Sequence, residues 1–485
     1  MKACLINSPY LSIYGKFNIG HNCYFPLGLG YIAALLLREG HQVTLLDPDA
    51  QRMDLPQMLI EIENFRPDIV GISALTPSFP NAAQIARMIK RKYPELPIVI
   101  GGVHASAMSR QILRNHQEFD YAVRGEGEIT FLELCRNIQN DRALDSIRGV
   151  SYRNPKGEVI ENQPREYVQD LDTLPHPARH LVDMNNYRLN VHFDRGIKSA
   201  TMISSRGCPS QCTYCASFLT AGRKPRACSP EYTVNEIEKL IHDYGVRHIL
   251  FWDDSFTLNH NRVIQICELI LKRRLNFSWT CMGRVDRGNE QIYGLMKKAG
   301  CYNILFGVES GDKQILMNIK KHITLEQARK SVGICNRLGI KTHLTFILGC
   351  PGETQQTIKR TLRFAKELKP TLANFFMVVP YPGTEMYNSL YSLDKRSQQT
   401  VNWQDWTHSG LNAPVQYLQT AVSNIEIRRW LFRAYWQFYV NPGQILRILK
   451  FVDSFRTFKI YARGALGLFN QSILWRIRGG QGKPE

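Results

Sequence analysis

The densest chemistry in the chain is the run Arg206-Gly207-Cys208-Pro209-Ser210-Gln211-Cys212-Thr213-Tyr214-Cys215. Cys208, Cys212 and Cys215 stand at C-x3-C-x2-C spacing. Iron–sulfur clusters are held by cysteine thiolates. Three thiolates can therefore bind three irons of a 4Fe–4S cluster and leave the fourth iron open to a small molecule. Zinc is the rival metal, but a structural zinc site closes on four ligands, usually as two pairs, and no second pair follows at a fitting distance. Three buried structural thiols are the remaining reading, and a setting of Gly, Pro and polar residues does not look like core. The other nine cysteines, Cys228 and Cys350 near the proposed site among them, are scattered singly and read as small buried hydrophobes.

Two runs of alternating strand and helix must position this loop. In residues 1–165, apolar runs at 2–7, 42–47, 69–74, 97–101 and 120–125 are separated by helical patterns. That alternation predicts a doubly wound parallel sheet with helices on both faces, an α/β domain. Its ligands should sit beyond the carboxyl ends of the strands. Those ends carry small and polar residues: Asn7-Ser8, Asp47, Ser73-Ala74, Gly101-Gly102-Val103-His104 and Arg124-Gly125-Glu126-Gly127-Glu128. No Gly-x-Gly-x-x-Gly follows the first strand, which argues against a dinucleotide. Residues 149–163 read as a hairpin, and 166–197 as a linker broken by proline.

Over 198–385, six apolar runs (201–205, 248–253, 277–282, 303–308, 341–348 and 374–380) alternate with helical patterns, implying a partial (β/α)6 barrel. The three-cysteine loop follows the first of these strands, at the carboxyl-terminal mouth where barrel active sites collect. Asp253-Asp254 ends the second strand. Because strand side chains alternate, one carboxylate is expected to face the site and the other to cap the next helix. Residues 386–485 form a helical, basic tail. Trp403 and Trp406 are expected to lie over the barrel, ahead of helices at 425–440 and 445–461.

Cys208, Cys212 and Cys215, with Tyr214 before the last of them, resemble the signature of the radical S-adenosylmethionine (SAM) superfamily. The first domain is similar to the cobalamin-binding domain that precedes the barrel in one large subgroup, the one containing the anaerobic Mg-protoporphyrin ester cyclases and class B radical SAM methylases. The resemblance implies that the open iron chelates SAM and that one electron cleaves SAM to a 5′-deoxyadenosyl radical. It implies, around SAM, Tyr214 and Asp254, Arg284 on the methionine carboxylate or as a loop anchor, and Glu309-Ser310 at the ribose. Ile347, Gly349 and Gly352 would hold the adenine, with Glu353 in the first turn of the following helix. Around cobalamin it implies Ser73, Gly101, Gly102, His104, Gly125 and Glu126. The Asp-x-His-x-x-Gly motif that supplies a lower cobalt ligand in many cobalamin proteins is absent. His104 is its nominal substitute, though a solvent-facing loop position is the plainer reading. Glu126 and Glu128 equally suit the first turn of a helix, where carboxylates are favoured.

The chain has 485 residues, 44% of them hydrophobic and 21% charged, which fits two or three folded domains rather than a disordered chain. Unpaired cysteines and a thiolate cluster point to the reducing cytosol, and no apolar run is long enough to span a membrane. The formal net charge is +19, and residues 425–485 hold eleven Lys/Arg against three Asp/Glu. The tail is read as a helix pair packed on the barrel with a solvated basic face, or as a peripheral membrane contact. Nucleic-acid binding lacks a recognition motif. The resemblance implies methylation of an unactivated carbon of a small or lipid-like metabolite through methylcobalamin. An electron donor such as flavodoxin or ferredoxin would feed the cluster. Radical cyclisation, ring contraction or coupling is the alternative enzyme chemistry, and a cobalamin or redox sensor the non-enzyme one.

Overall fold

The computed structural model describes residues 1–13, 23–189, 193, 195–391, 402–407, 420–452, 455, 458, 459 and 462. The first unit runs β1 (Lys2–Asn7), α1 (Leu27–Arg38), β2 (Gln42–Leu46), α2 (Pro48–Gln51), α3 (Leu55–Phe65), β3 (Ile69–Ser73), α4 (Phe79–Lys92), β4 (Ile98–Gly101), α5 (Val103–Asn115), β5 (Tyr121–Val123), α6 (Glu128–Gln139), β6 (Val150–Arg153) and β7 (Val159–Glu161). The strands lie in the order β2-β1-β3-β4-β5-β6-β7. The first five are parallel, and the expected hairpin, β6–β7, extends the sheet antiparallel to β5. Consecutive residues Ala3–Ile6 of β1 are all buried, as a strand covered by helices on both faces requires.

The second unit runs β8 (Ser199–Met202), β9 (Ser205–Arg206), α7 (Phe218–Ala221), β10 (Arg226–Ala227), α8 (Pro230–His242), β11 (His248–Phe251), α9 (His260–Lys272), β12 (Ser278–Gly283), α10 (Glu290–Lys298), β13 (Cys301–Glu309), α11 (Lys313–Asn318), α12 (Leu325–Arg337), β14 (Lys341–Leu348), α13 (Gln355–Glu367), β15 (Leu372–Met377) and α14 (Glu385–Tyr391). Six strands form one parallel sheet in the order β15-β14-β13-β12-β11-β8, the open barrel that the sequence implies. Alternation is sharp on β13: Ile304, Phe306 and Val308 are buried against the helices, while Leu305 and Gly307 line the cleft at the mouth. One addition was not expected. β9 and β10 form a two-stranded antiparallel ribbon with Arg206 opposite Arg226, so the three-cysteine loop leaves the barrel through a narrow neck.

The tail supplies α15 (Asn424–Tyr439) and α16 (Pro442–Leu449). Ser423 and Glu426 close a capping box at the start of α15. Tyr435 and Tyr439, one turn apart, lay their hydroxyls on β15, the last strand of the open sheet. Tyr435 donates to Phe375 O and accepts from Phe375 N; Tyr439 does the same at Ala373. The match is geometric: four helical residues rise about 6 Å and two strand residues about 6.6 Å. The second tail helix, expected over 445–461, is interrupted at 450–452; half of 450–461 lies outside the described residues, and Phe455, Phe458 and Lys459 are again helical. Trp403 corrects another expectation. Rather than covering the barrel alone, it reaches the first unit, edge-on to His104 at 5.0 Å, while Trp406 is buried against Tyr387.

Candidate functional site

Cys208, Cys212 and Cys215 line one cleft of about 210 Å³ at the barrel mouth, with Ser210, Tyr214, Ser217, Asp254, Met282, Arg284, Leu305, Glu309, Lys321 and Thr345 around them. No other cysteine lines it. Gly207 has φ +90°, and a Cβ there would stand 2.5 Å from Lys224 O, so only glycine makes the turn into Cys208. The loop is tied down by Thr213 N to Ile319 O and by Met386 N to Thr213 O. Burial pushes the Cys215 thiol up to about 11, so metal binding must itself drive its deprotonation. Three thiols converging without a fourth match a cluster with one open iron.

Asp253 and Asp254 divide their work, though not as expected. Asp253 is buried and accepts from Ser204 N (2.8 Å), Ser204 Oγ (2.7 Å) and Ser205 Oγ (2.5 Å), fixing the turn after β8. Asp254 borders the cleft and accepts from Ser217 Oγ (2.5 Å) and Gly207 N (3.2 Å) across the cysteine loop. Neither caps α9; Asn259 does.

Glu309 sits at φ +67°, at a register shift between β13 and β14 that turns its carboxylate into the cleft. Its Oε1 accepts from Lys321 Nζ (2.9 Å) and Tyr214 OH (3.1 Å). Its Oε2 has only a long contact from Thr345 Oγ1, 3.4 Å, and so keeps acceptor capacity for a ligand hydroxyl. Burial alone would lower Lys321, but the adjacent Glu309 carboxylate carries it above the ordinary lysine range. Arg284 is held by Asp286 (2.9 and 3.3 Å), Ser210 Oγ (3.0 Å) and Lys321 O (3.2 Å), which makes it an anchor of the cysteine loop at the cleft wall.

Four expected SAM contacts do not line this cleft. Ser310 is fully buried; its hydroxyl meets Thr361 Oγ1 (3.1 Å) and accepts from Asp312 N (3.1 Å), so it shapes the turn rather than the cleft. Ile347 is half-buried on β14, and neither it nor Gly349 nor Gly352 lines the cleft. Glu353 precedes Thr354, the N-cap of α13, instead of entering the first turn. It is buried against the Thr357 hydroxyl and pushed up to about 7 by desolvation.

At the carboxyl edge of the first sheet, the small residues Ser73, Gly101 and Gly102 do lie together. Gly102 has φ +93°, and a Cβ there would come within 2.6 Å of Ala74 O. A Cβ at Gly101 would meet only Ile72 O, at 4.0 Å, and Leu75 beside them is 54% exposed. An uncrowded backbone shelf with an exposed apolar side chain suits a flat macrocycle, so these residues fit cobalamin. His104 does not join them. The expected solvent-facing loop residue is 1% exposed in the first turn of α5, packed at a tilt against Phe79 at 4.5 Å and bonded to Thr76 Oγ1 at 3.3 Å. Burial lowers its imidazole to about 3, and Phe79 and Trp403 cover its ring, which leaves it poorly placed as a cobalt ligand. Gly125 N donates to Ser106 Oγ at 3.0 Å.

Glu126 is diverted as well, whereas Glu128 does stand in the first turn of α6, as expected, and reaches the barrel from there. Glu126 Oε1 accepts from Arg206 Nη1 and Arg226 Nη1, both at 2.9 Å, and Glu128 from Arg206 Nη2 at 2.8 Å. With Tyr24, which packs on Trp252 at 5.5 Å, these contacts bring the carboxyl edges of the two sheets face to face. Sequence reasoning missed Lys321, Ser210, Ser217 and Thr345. Lys321 stands in Lys320-Lys321-His322, which matches no motif, and its partner is twelve residues upstream on another element.

Residues 20–135 match the B12 binding domain family, and residues 202–365 match the Radical SAM superfamily. An uncharacterized methyltransferase of Pyrococcus horikoshii is 35% identical over 422 residues, 87% of this chain and 89% of that protein. The anaerobic magnesium-protoporphyrin IX monomethyl ester cyclase of Rubrivivax gelatinosus is 28% identical over 371 residues, 75% of this chain and 66% of that one. Among solved structures, the cobalamin-dependent SAM radical enzyme OxsB, with aqua-cobalamin and SAM bound, superimposes with a TM-score of 0.74 at 18% identity, covering 98% of this chain and 75% of that chain. At that identity the structural likeness speaks to the fold alone.

Proposed function

Because the chain belongs to the radical SAM superfamily, in the group that carries a B12 binding domain before the radical SAM domain, we propose that it methylates an unactivated carbon of a small or lipid-like metabolite. One observation carries the reading: the cleft with three thiols and the shelf at the edge of the first sheet are held mouth to mouth. Bound there, a 4Fe–4S cluster with SAM supplies the radical and cobalamin the methyl group. Cys208, Cys212 and Cys215 hold the cluster. Glu309 accepts from the ribose through Oε2 while Lys321 and Tyr214 fix its other oxygen. Arg284 and Asp254 keep the loop seated. Ser73, Gly101 and Gly102 leave room for the macrocycle, and no imidazole approaches from His104. A reducing cytosol with a flavodoxin- or ferredoxin-like donor suits these needs.

The test is incubation of reduced, reconstituted protein with cobalamin, methyl-labelled SAM and cell extract. We expect label in a small molecule, with both S-adenosylhomocysteine and 5′-deoxyadenosine accumulating. Deoxyadenosine without S-adenosylhomocysteine, and product without label, would replace methylation by radical cyclisation or coupling. The likeness to the Rubrivivax cyclase favours that second reading.

The tail adds a contact with an anionic membrane surface. Among the described residues no helix is long and apolar enough to cross a membrane. Ile445, Leu446 and Leu449 on α16 are exposed, as are Phe455 and Phe458 beyond it, and Lys450 and Lys459 lie among them. Such a face suits the lipid interface. Binding to phosphatidylserine vesicles should be present at low salt and weaken as salt rises. No binding at either salt would leave the tail as packing alone.

A further inference from the structure

The ribbon at the neck of the cysteine loop contains an arrangement that should not be stable by itself. Arg206 and Arg226 are directly opposed across β9 and β10, and like charges in that position repel. Both guanidiniums are nearly buried, with side-chain exposures of 12% and 3%. The barrel supplies no carboxylate to either among the ion pairs of the described residues. The first unit does. Glu126 Oε1 lies 2.9 Å from a nitrogen of each arginine, Glu126 Oε2 accepts from Val168 N at 2.9 Å, and Glu128 takes the second arm of Arg206 at 2.8 Å. Rings cover the outer sides: Tyr31 lies 4.9 Å from the guanidinium carbon of Arg206, and Tyr167 4.9 Å from that of Arg226. Two carboxylates and two guanidiniums thus form a neutral buried group that neither unit can complete alone.

We propose that Glu126 and Glu128 are positioning residues for the iron–sulfur loop: the first unit closes the loop's neck and so sets the spacing between the cluster and its own sheet edge. Glu126 stands on the turn after β5, between Gly125 and Gly127, and Glu128 opens α6 one residue later, at the same carboxyl edge as Ser73 and Gly101. Arg206 is two residues from Cys208. A displacement of that edge is therefore passed to the first cluster ligand through one pair of charge-assisted hydrogen bonds, without crossing the barrel core. This inference rests on the proposed cluster and cobalamin sites, but it concerns contacts present without them.

The test compares the full-length wild type with Glu126→Gln, Glu126→Asp and Arg206→Lys. Hydrogen exchange of residues 207–225, measured without cofactors, should quicken about tenfold or more in Glu126→Gln, the scale of one lost charge-assisted bond, while exchange in β1–β4 stays unchanged. Glu126→Asp, which keeps the charge on a shorter arm, should fall between the two, and Arg206→Lys should behave like Glu126→Gln because one ammonium cannot serve two carboxylates in a fork. In protein carrying cob(II)alamin and the reduced cluster, both paramagnetic, pulsed dipolar spectroscopy should give one narrow cluster–cobalt distance for wild type and a broader distribution for Glu126→Gln. A purely stabilising role would lower the folded fraction without widening that distribution. Unchanged exchange in folded Glu126→Gln, or an unchanged distance distribution, overturns the proposal. If the wild type takes up no cobalamin, the cobalamin reading fails and the exchange experiment alone decides the role of the neck.

Discussion

The carboxyl edges of the two sheets are built from the same unit, a strand feeding a helix through a short turn, and they treat polar side chains in opposite ways. At the barrel mouth, Asp254, Arg284, Glu309 and Lys321 line the cleft and are held there: Lys321 pairs with Glu309, Arg284 donates to Lys321 O, and Asp254 accepts from Gly207 N. At the edge of the first sheet, polar side chains are taken away: His104 folds under Phe79 and Trp403, and Glu126 and Glu128 cross to the barrel. Small residues, bare backbone and Leu75 remain. The barrel mouth is equipped to hold a ligand by charge. The first edge is equipped to hold one by shape, and its polar groups earn their place by keeping that shape clear.

The harshest test of this contrast is at the cysteines. Replacing Cys208, Cys212 or Cys215 with Ala should abolish the intact cluster and SAM cleavage, because each thiolate holds one iron. Cys335→Ala, deep in the barrel wall, should leave iron content unchanged. Iron counting and deoxyadenosine formation read both, and full cleavage in any of the three loop variants would remove the cluster from this cleft.

The next test is charge at the mouth. Glu309→Gln keeps the shape but loses charge-assisted hydrogen bonds, each worth roughly 1.5–3 kcal/mol. SAM affinity, measured by calorimetry, should fall by about tenfold or more. Ser310→Ala, one residue on but turned into the core, should change it by no more than about twofold. Equal effects at the two positions would mean that the cleft does not depend on the carboxylate.

The smallest effect belongs to His104, where the first edge hides a titratable group. The folded protein keeps His104 neutral down to about pH 3, whereas the unfolded chain takes up a proton below about 6.5. The unfolded state therefore binds more protons between those values. His104 contributes no pH dependence above about 6.5 and costs stability progressively as pH falls below it. His248, lowered to about 3 in the barrel by burial, acts in the same direction. In His104→Leu, the loss of stability between pH 7 and pH 5, from urea unfolding, should shrink by about 1–2 kcal/mol. An unchanged slope would mean that the ring is open to solvent.

What was legible follows from the range of the interactions. The cysteine loop, the glycine turn before it and the strand–helix alternation are local patterns, and all six barrel strands fall where apolar runs predict them. Glu309 was legible because its strand-end segment, Gly307-Val308-Glu309, lies in one stretch. Lys321 was not, since nothing local ties it to that carboxylate. The motif around Glu126 was noticed but given to a ligand or a helix dipole. Its partners lie 80 and 100 residues away, and only the fold brings them within 3 Å. His104 was misplaced because α5 begins immediately after Gly102, turning an apparent loop residue inward. Trp403 meets His104 across almost 300 residues of chain, beyond the reach of any periodicity.

An open barrel ends in a strand whose outer amides and carbonyls seek partners, and such an edge invites pairing with another chain. Here the hydroxyls of Tyr435 and Tyr439 occupy the amide and carbonyl of both Phe375 and Ala373, while Gln444 Nε2 donates to Pro370 O and Thr371 O. α15 therefore works as a surrogate strand made of side chains. A protein truncated before Asn424 would keep every cysteine, glycine and carboxylate of the cleft and still be hard to handle, because its β15 would be a bare template for sheet-to-sheet aggregation. Tyr435→Phe with Tyr439→Phe would create the same hazard at full length, without shortening the chain by a single residue.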